Sequence, residues 1–218
     1  MNNLLGLIFS YVLVFMVIGI STFLQKKGYL NDEGARKFIH IGVSNWWILA
    51  MVFFDNVWLA SIAPVTFIIL NYASYKMNII KAMERSGKGN LGTVYFPISL
   101  LILVLITFGI NQPIIGAFGI LILGYGDGLA ALIGKAYGKR VLRHGKTYEG
   151  SLTMLMSAFI VSAVLLMLIS PQHMYLSILI AGFATLVELF TPKGLDNLSV
   201  PISTSLFTYL LFIIFSII

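Results

Sequence analysis

Eight apolar stretches, each about 17 to 21 residues long and separated by polar breaks, set the pattern of this chain. They run over about 4–24, 38–54, 57–75, 93–109, 113–133, 151–169, 174–190 and 200–218. Roughly 20 apolar residues in a helix cross a hydrocarbon core, so each stretch is a candidate span, the shortest at the lower limit. The pattern predicts an all-α, polytopic transmembrane helix bundle with about eight membrane helices, or seven if one stretch is re-entrant. It leaves room for a single domain over 1–218 and little else.

Charge supplies an independent check on that count. All 14 Lys and Arg lie in four alternate loops, at about 25–37, 76–92, 134–150 and 191–199, and the intervening loops hold none. Positive residues collect on the cytoplasmic side, so the basic loops are expected inside and both termini outside. The first stretch is followed by Lys26 and Lys27 and reads as a retained helix rather than a cleaved signal. Loop 76–92 reads as a short interfacial helix, with Met77, Ile80 and Met83 opposite Lys76, Lys81 and Arg85.

Composition narrows the class further. The chain is 59% hydrophobic and 10% charged, beyond what a soluble domain of this size needs. The net charge of +6 is explained by membrane orientation and calls for no nucleic acid. With no cysteine, disulfides, thiolate catalysis and thiolate metal sites are excluded. Gly134-Lys135 fails as a P-loop because Ala136 follows, Gly124, Gly126 and Gly128 lack the dinucleotide spacing, and the three histidines lack zinc-peptidase spacing.

The rare acids carry the candidate chemistry. Of eight Asp and Glu, four lie in two patches: Asp127 and Glu149 within 124–150, and Glu188 and Asp196 within 188–197. Carboxylates in or beside hydrocarbon face a cavity, an ion or one another. Asp127 lies about two-thirds along the fifth stretch between Gly126 and Gly128, which are expected to open the helix for metal or phosphate handling; pairing with a neighbouring lysine is the alternative. Lys135, Lys139, Arg140, Arg143 and Lys146 precede Thr147, Glu149 and Ser151 at the mouth of the sixth helix. A helix start, lysines and a carboxylate that can hold magnesium suit a polyphosphate, while Thr147 and Ser151 also read as helix caps. Glu188, Asp196 and Asn197 would form a second oxygen-rich cluster facing the first. Arg36 and Lys37 read as anchors at the inner face. His40, one turn further in, reads either as a satisfied interior histidine or as a proton acceptor for a hydroxyl.

These residues resemble a known family. Arg36, Lys37 and His40, the Gly126-Asp-Gly128 segment with Gly134 and Lys139, Gly145-Lys-Thr-Tyr-Glu-Gly150, and Glu188 with Gly194-Leu-Asp-Asn-Leu and Pro201 resemble the polyprenol kinase family. That family includes dolichol kinase, phytol kinase and CTP-dependent diacylglycerol kinase. The match runs in order from about residue 36 to 201. It implies transfer of a γ-phosphate, typically from CTP, to a lipid alcohol with Mg2+, here by a multi-pass enzyme of a microbial cell membrane whose site faces the cytoplasm.

On this reading Asp127 with Glu149 or Asp196 would hold the metal. Lys146, helped by Lys139 and Arg140, would neutralise phosphate charge. Arg36, Lys37, Gly126, Gly128 and Thr147 would line the nucleotide site, Asn197 would orient the nucleotide or metal, and Glu188 or His40 would accept the hydroxyl proton. The central segments also resemble phosphatidate cytidylyltransferases, but the Pro-Gly-His-Gly-Gly pattern of those enzymes is replaced here by Thr191-Pro-Lys-Gly-Leu-Asp-Asn197. A transporter of an anionic solute is a third, weaker reading.

Overall fold

A computed structural model describes residues 2–77 and 91–218. Among them the chain is a helical bundle. Its elements are α1 (Asn3–Lys26), α2 (Asp32–Ser44), α3 (Trp46–Phe53), α4 (Val57–Met77), α5 (Gly92–Leu103), α6 (Pro113–Leu121), α7 (Gly128–Tyr137), α8 (Tyr148–Ile169), α9 (Leu176–Phe190) and α10 (Asp196–Ile214). Helix α5 runs on through a π-helical segment, Val104–Phe108, and another, Ile122–Asp127, joins α6 to α7. Five helices are long and apolar enough to cross a membrane: α1, α4, Pro113–Tyr137, α8 and α10. Gly92–Phe108 and α9 are shorter apolar helices, and α2 with α3 completes the eightfold pattern read from the sequence. Most of the interfacial helix expected within loop 76–92 lies outside the described residues.

Local chemistry sets the helix ends. Asn31 accepts from Gly34 N at 2.8 Å at the start of α2, and Asp32 and Glu33 complement the helix dipole there. Thr147 accepts from Gly150 N at 3.1 Å and starts α8 three residues earlier than the apolar pattern alone placed it. Asn45 interrupts α2 and α3. Its amide donates to Ile41 O at 2.9 Å and its side-chain carbonyl accepts from the Tyr125 hydroxyl at 2.9 Å, so the break is itself hydrogen-bonded.

Pro113–Tyr137 is the axis of the bundle. Its apolar window is 78% buried, against 28% for α1, α4 and α8, so the other helices take most of the outer surface. Trp47, fully buried, donates to Pro113 O at 2.9 Å, and its ring packs so closely on Gly116 that a Cβ there would stand 2.0 Å away. Trp46 donates to Ser10 Oγ at 2.7 Å, tying α3 to α1.

The expected opening of the axial helix at its glycines does not occur. The backbone stays helical through the π-helical segment, and these glycines admit neighbours instead. A Cβ on Gly126 would meet Met154 Sδ at 2.4 Å, and one on Gly128 would meet Ile41 Cγ1 at 2.5 Å. A π-turn adds one residue to the helical register and so re-aims the side chains at its far end, here Asp127.

Candidate active site

Six helix ends meet at the end of the bundle that carries the basic loops. They surround a cavity of about 350 Å³. The starts of α2, α5, α8 and α10 and the ends of α7 and α9 supply its walls. Both sequence patches therefore open on the same space.

Three carboxylates form its floor. Asp127, Glu188 and Asp196 each present an oxygen within 4.8 Å of the others. They are 8%, 5% and 5% exposed, and two buried lysines balance them: Lys37 at 4% and Lys146 at 8%. Lys37, from α2, pairs with Asp127 Oδ2. Lys146 pairs with Glu188 Oε1 at 2.6 Å, lies 3.6 Å from Asp196 Oδ2, and donates to the Glu188 carbonyl. The pairing of Asp127 with a neighbouring lysine, raised as an alternative from the sequence, is thus present, and Asp127 also lines the cavity.

The backbone explains how Lys146 reaches the interior. Residues 141 and 147 form an antiparallel bridge, Leu142 N donates to Lys146 O at 2.6 Å, and Gly145 takes φ +68°. This tight turn needs a residue that tolerates a left-handed conformation, and it delivers Lys146 at the mouth of α8. Lys193 bridges the patches from outside by donating to Gly145 O at 3.0 Å. Opposite, Gly194 at φ +101° and Asp196 form a local turn in which Asp196 Oδ1 accepts from Gly194 N and Asn197 N at 2.8 and 3.1 Å.

Several polar atoms in this cluster lack a hydrogen-bond partner among the described residues. Glu188 Oε2, Asn197 Oδ1 and Ser151 Oγ are buried without one. Burying such atoms costs free energy, and at a cleft they mark places where a ligand or ion completes the network. Carboxylate and amide oxygens are hard donors, so the set fits Mg2+ with phosphate oxygens and disfavours a soft metal.

The sequence-derived candidates separate into groups. Arg36, Lys37, Asp127, Lys146, Thr147, Glu188, Asp196 and Asn197 come together around the cavity. His40 lies just behind it, Nε2 3.4 Å from Asp127 Oδ2. Glu149, expected with Asp127 as a metal ligand, stands outside the three-carboxylate cluster. Its Oε2 accepts from Lys139 N at 3.1 Å, because the first turn of α8 directs it back to the preceding loop. Lys139 and Arg140 are exposed and do not line the cavity, and Gly126 and Gly128 face neighbouring helices. Glu33, which pairs with Arg36, and Thr93 also line the cavity but were not singled out. Thr93 opens an apolar stretch on the basic side and Glu33 lies in the basic loop before another, which was the available signal.

No family model matches this chain, and no solved structure matches it. Curated proteins do. The phytol kinase of Synechocystis sp. is 32% identical over 184 residues, 81% of this chain and 78% of that protein. Phytol kinase 1, chloroplastic, of Arabidopsis thaliana is 27% identical over 214 residues, 87% of this chain and 70% of that protein. Probable phytol kinase 1, chloroplastic, of Oryza sativa subsp. japonica is 33% identical over 151 residues, and the match spans 62% of this chain and 47% of that protein.

Proposed function

The chain belongs to the polyprenol and phytol kinase family, and on that premise we propose that it transfers the γ-phosphate of CTP to a phytol-like lipid alcohol. The observation that carries this reading is the buried cluster of Asp127, Glu188 and Asp196, set against Lys37 and Lys146 in a cavity at the basic-loop end. Phosphoryl transfer asks the protein mainly to position two reactants and to neutralise charge. A cavity lined by buried lysines and carboxylates is suited to both.

The three carboxylates, with the Asn197 carbonyl oxygen, would hold Mg2+. Bound there, Mg2+ would supply positive charge to the phosphate oxygens. Lys146 and Lys37 add charge from opposite walls, and Arg36 offers a guanidinium at the cavity edge. The lipid hydroxyl oxygen bonds to the γ-phosphorus as the bond from that phosphorus to the bridging oxygen breaks, which releases CDP. The hydroxyl proton goes to His40 Nε2, a buried atom with no hydrogen-bond partner among the described residues. Glu188, the other candidate for this step, pairs with Lys146 through Oε1 and on this reading gives its remaining oxygen to the metal. Exposed Lys139 and Arg140 would attract the nucleotide from solution without touching the reacting atoms. The basic loops would put this site on the cytoplasmic face of the cell membrane.

Incubation of the purified protein with phytol and CTP labelled at either the α or the γ position tests the proposal. Label should reach the lipid from the γ position alone. Transfer from the α position would overturn it in favour of a cytidylyltransferase, and solute counterflow without nucleotide turnover would favour a transporter.

A further inference from the structure

A second, smaller space adjoins the carboxylate cavity. This slot of about 70 Å³ lies between α1, α2, α4 and α5. Helix α1 packs on α2 and α4, and α4 packs on α5, whereas α2 and α5 meet through side chains, with the His40 and Phe96 rings 5.0 Å apart. Arg36, Gly92, Thr93 and Asn197 line both spaces, which therefore meet at those residues.

Chain direction orders the lining. Helices α2 and α5 start at the carboxylate end, and α4 finishes there. Arg36, Asn71 and Thr93 are accordingly at the head of the slot, His40 lies one turn in, and Val14, Phe67 and Leu100 lie deeper. The slot is amphipathic along its length, polar where it joins the active site and apolar away from it. Two buried polar atoms without a hydrogen-bond partner, His40 Nε2 and Asn197 Oδ1, belong to residues that line it. A hydroxyl at the head would give His40 Nε2 the donor it lacks, and Arg36 beside it could donate to the hydroxyl oxygen.

We propose that this slot is the acceptor subsite. It takes the leading carbons of one chain of a lipid alcohol, with the hydroxyl between Arg36 and His40 and the tail running past Phe67 and Leu100. Its volume, about 70 Å³ against about 350 Å³ for the carboxylate cavity, is small, and on this proposal it admits one chain rather than the two of a diacylglycerol. The proposal rests on the lipid-alcohol kinase reading and adds to it a location and a preference for single-chain acceptors.

A phytol analogue with a photoreactive group in its tail, applied to the wild-type protein without nucleotide, tests this assignment. Labels should map to Val14, Phe67 or Leu100, be displaced by phytol, and resist displacement by diacylglycerol. Labels confined to the outward faces of the bundle, or displacement by diacylglycerol at phytol-like concentrations, would overturn it. Filling the slot with Leu100→Trp should abolish the specific label and raise the KM for phytol roughly tenfold relative to the KM for CTP. Slot labelling without γ-phosphate transfer would uphold the subsite and remove the kinase reading, while transfer with labels elsewhere would do the reverse.

Discussion

At the end of the bundle that carries both termini, polar groups close turns. Asn3 donates to the exposed carboxylate of Asp55 at 2.7 Å, Asn56 accepts from Trp58 N and Leu59 N at 2.9 and 3.1 Å, and Ser170 meets His173 Nδ1 at 2.8 Å. Every one of these contacts has a structural purpose. At the basic-loop end, by contrast, two lysines and three carboxylates are buried together, and several of their neighbours lack partners. Membrane orientation does not require this, since exposed Lys139 and Arg140 would serve it equally well. Ion pairs out of water contribute little net stability, because desolvation offsets their attraction. The difference teaches that the bundle is held by its apolar axis, and it supports the proposal that the charge at one end serves a ligand.

Separating stability from function at that end gives the largest expected effect. Asp127→Asn should lower γ-phosphate transfer by about 10²–10³-fold or more. It should also destabilise the protein by roughly 3–5 kcal/mol, because Lys37 is left buried without its counter-charge. The double variant Lys37→Met with Asp127→Asn should recover most of that stability and none of the activity, as read by thermal unfolding in detergent beside the labelled-CTP assay. If activity returned with stability, the pair would be a structural strut only.

A smaller contrast lies within the site. Glu188→Gln should reduce turnover about 10²-fold, whereas Glu149→Gln should stay within about fivefold, since its carboxylate caps the Lys139 amide outside the cluster. Equal losses in matched steady-state assays would restore Glu149 to the metal site. The smallest effect belongs to the opposite end. Asp55→Asn should change stability by less than about 1 kcal/mol and transfer by less than about twofold. A large loss of activity there would undo the division of the bundle into a structural and a chemical end.

Much of this was legible along the chain. Partition into hydrocarbon depends on runs of apolar residues, and the positive-inside bias on where Lys and Arg fall, so span order and the basic end come from one-dimensional pattern alone. The two patches were legible for the same reason: acids are rare in such a sequence, and Asp127, Glu188 and Asp196 stand out. Helix boundaries shifted by a few residues because side-chain caps such as Thr147 override hydropathy.

Tertiary structure decided which of these groups meet. Lys146 and Glu188 are 42 positions apart, and Lys37 and Asp127 are 90 apart, so only the packing of helices brings them together. Packing selected Glu188 over Glu149 as the third carboxylate, and Lys37 and Lys146 over Lys139 and Arg140 as the buried cations. It also turned Gly126 and Gly128 into contacts for Met154 and Ile41 rather than points of unwinding. The slot between α1, α2, α4 and α5 has no sequence signature, because a gap among helices is set by how their faces pack. Sequence determined which residues are costly to bury; the fold determined which of them share one cavity, since that depends on distances across the bundle rather than spacing along the chain.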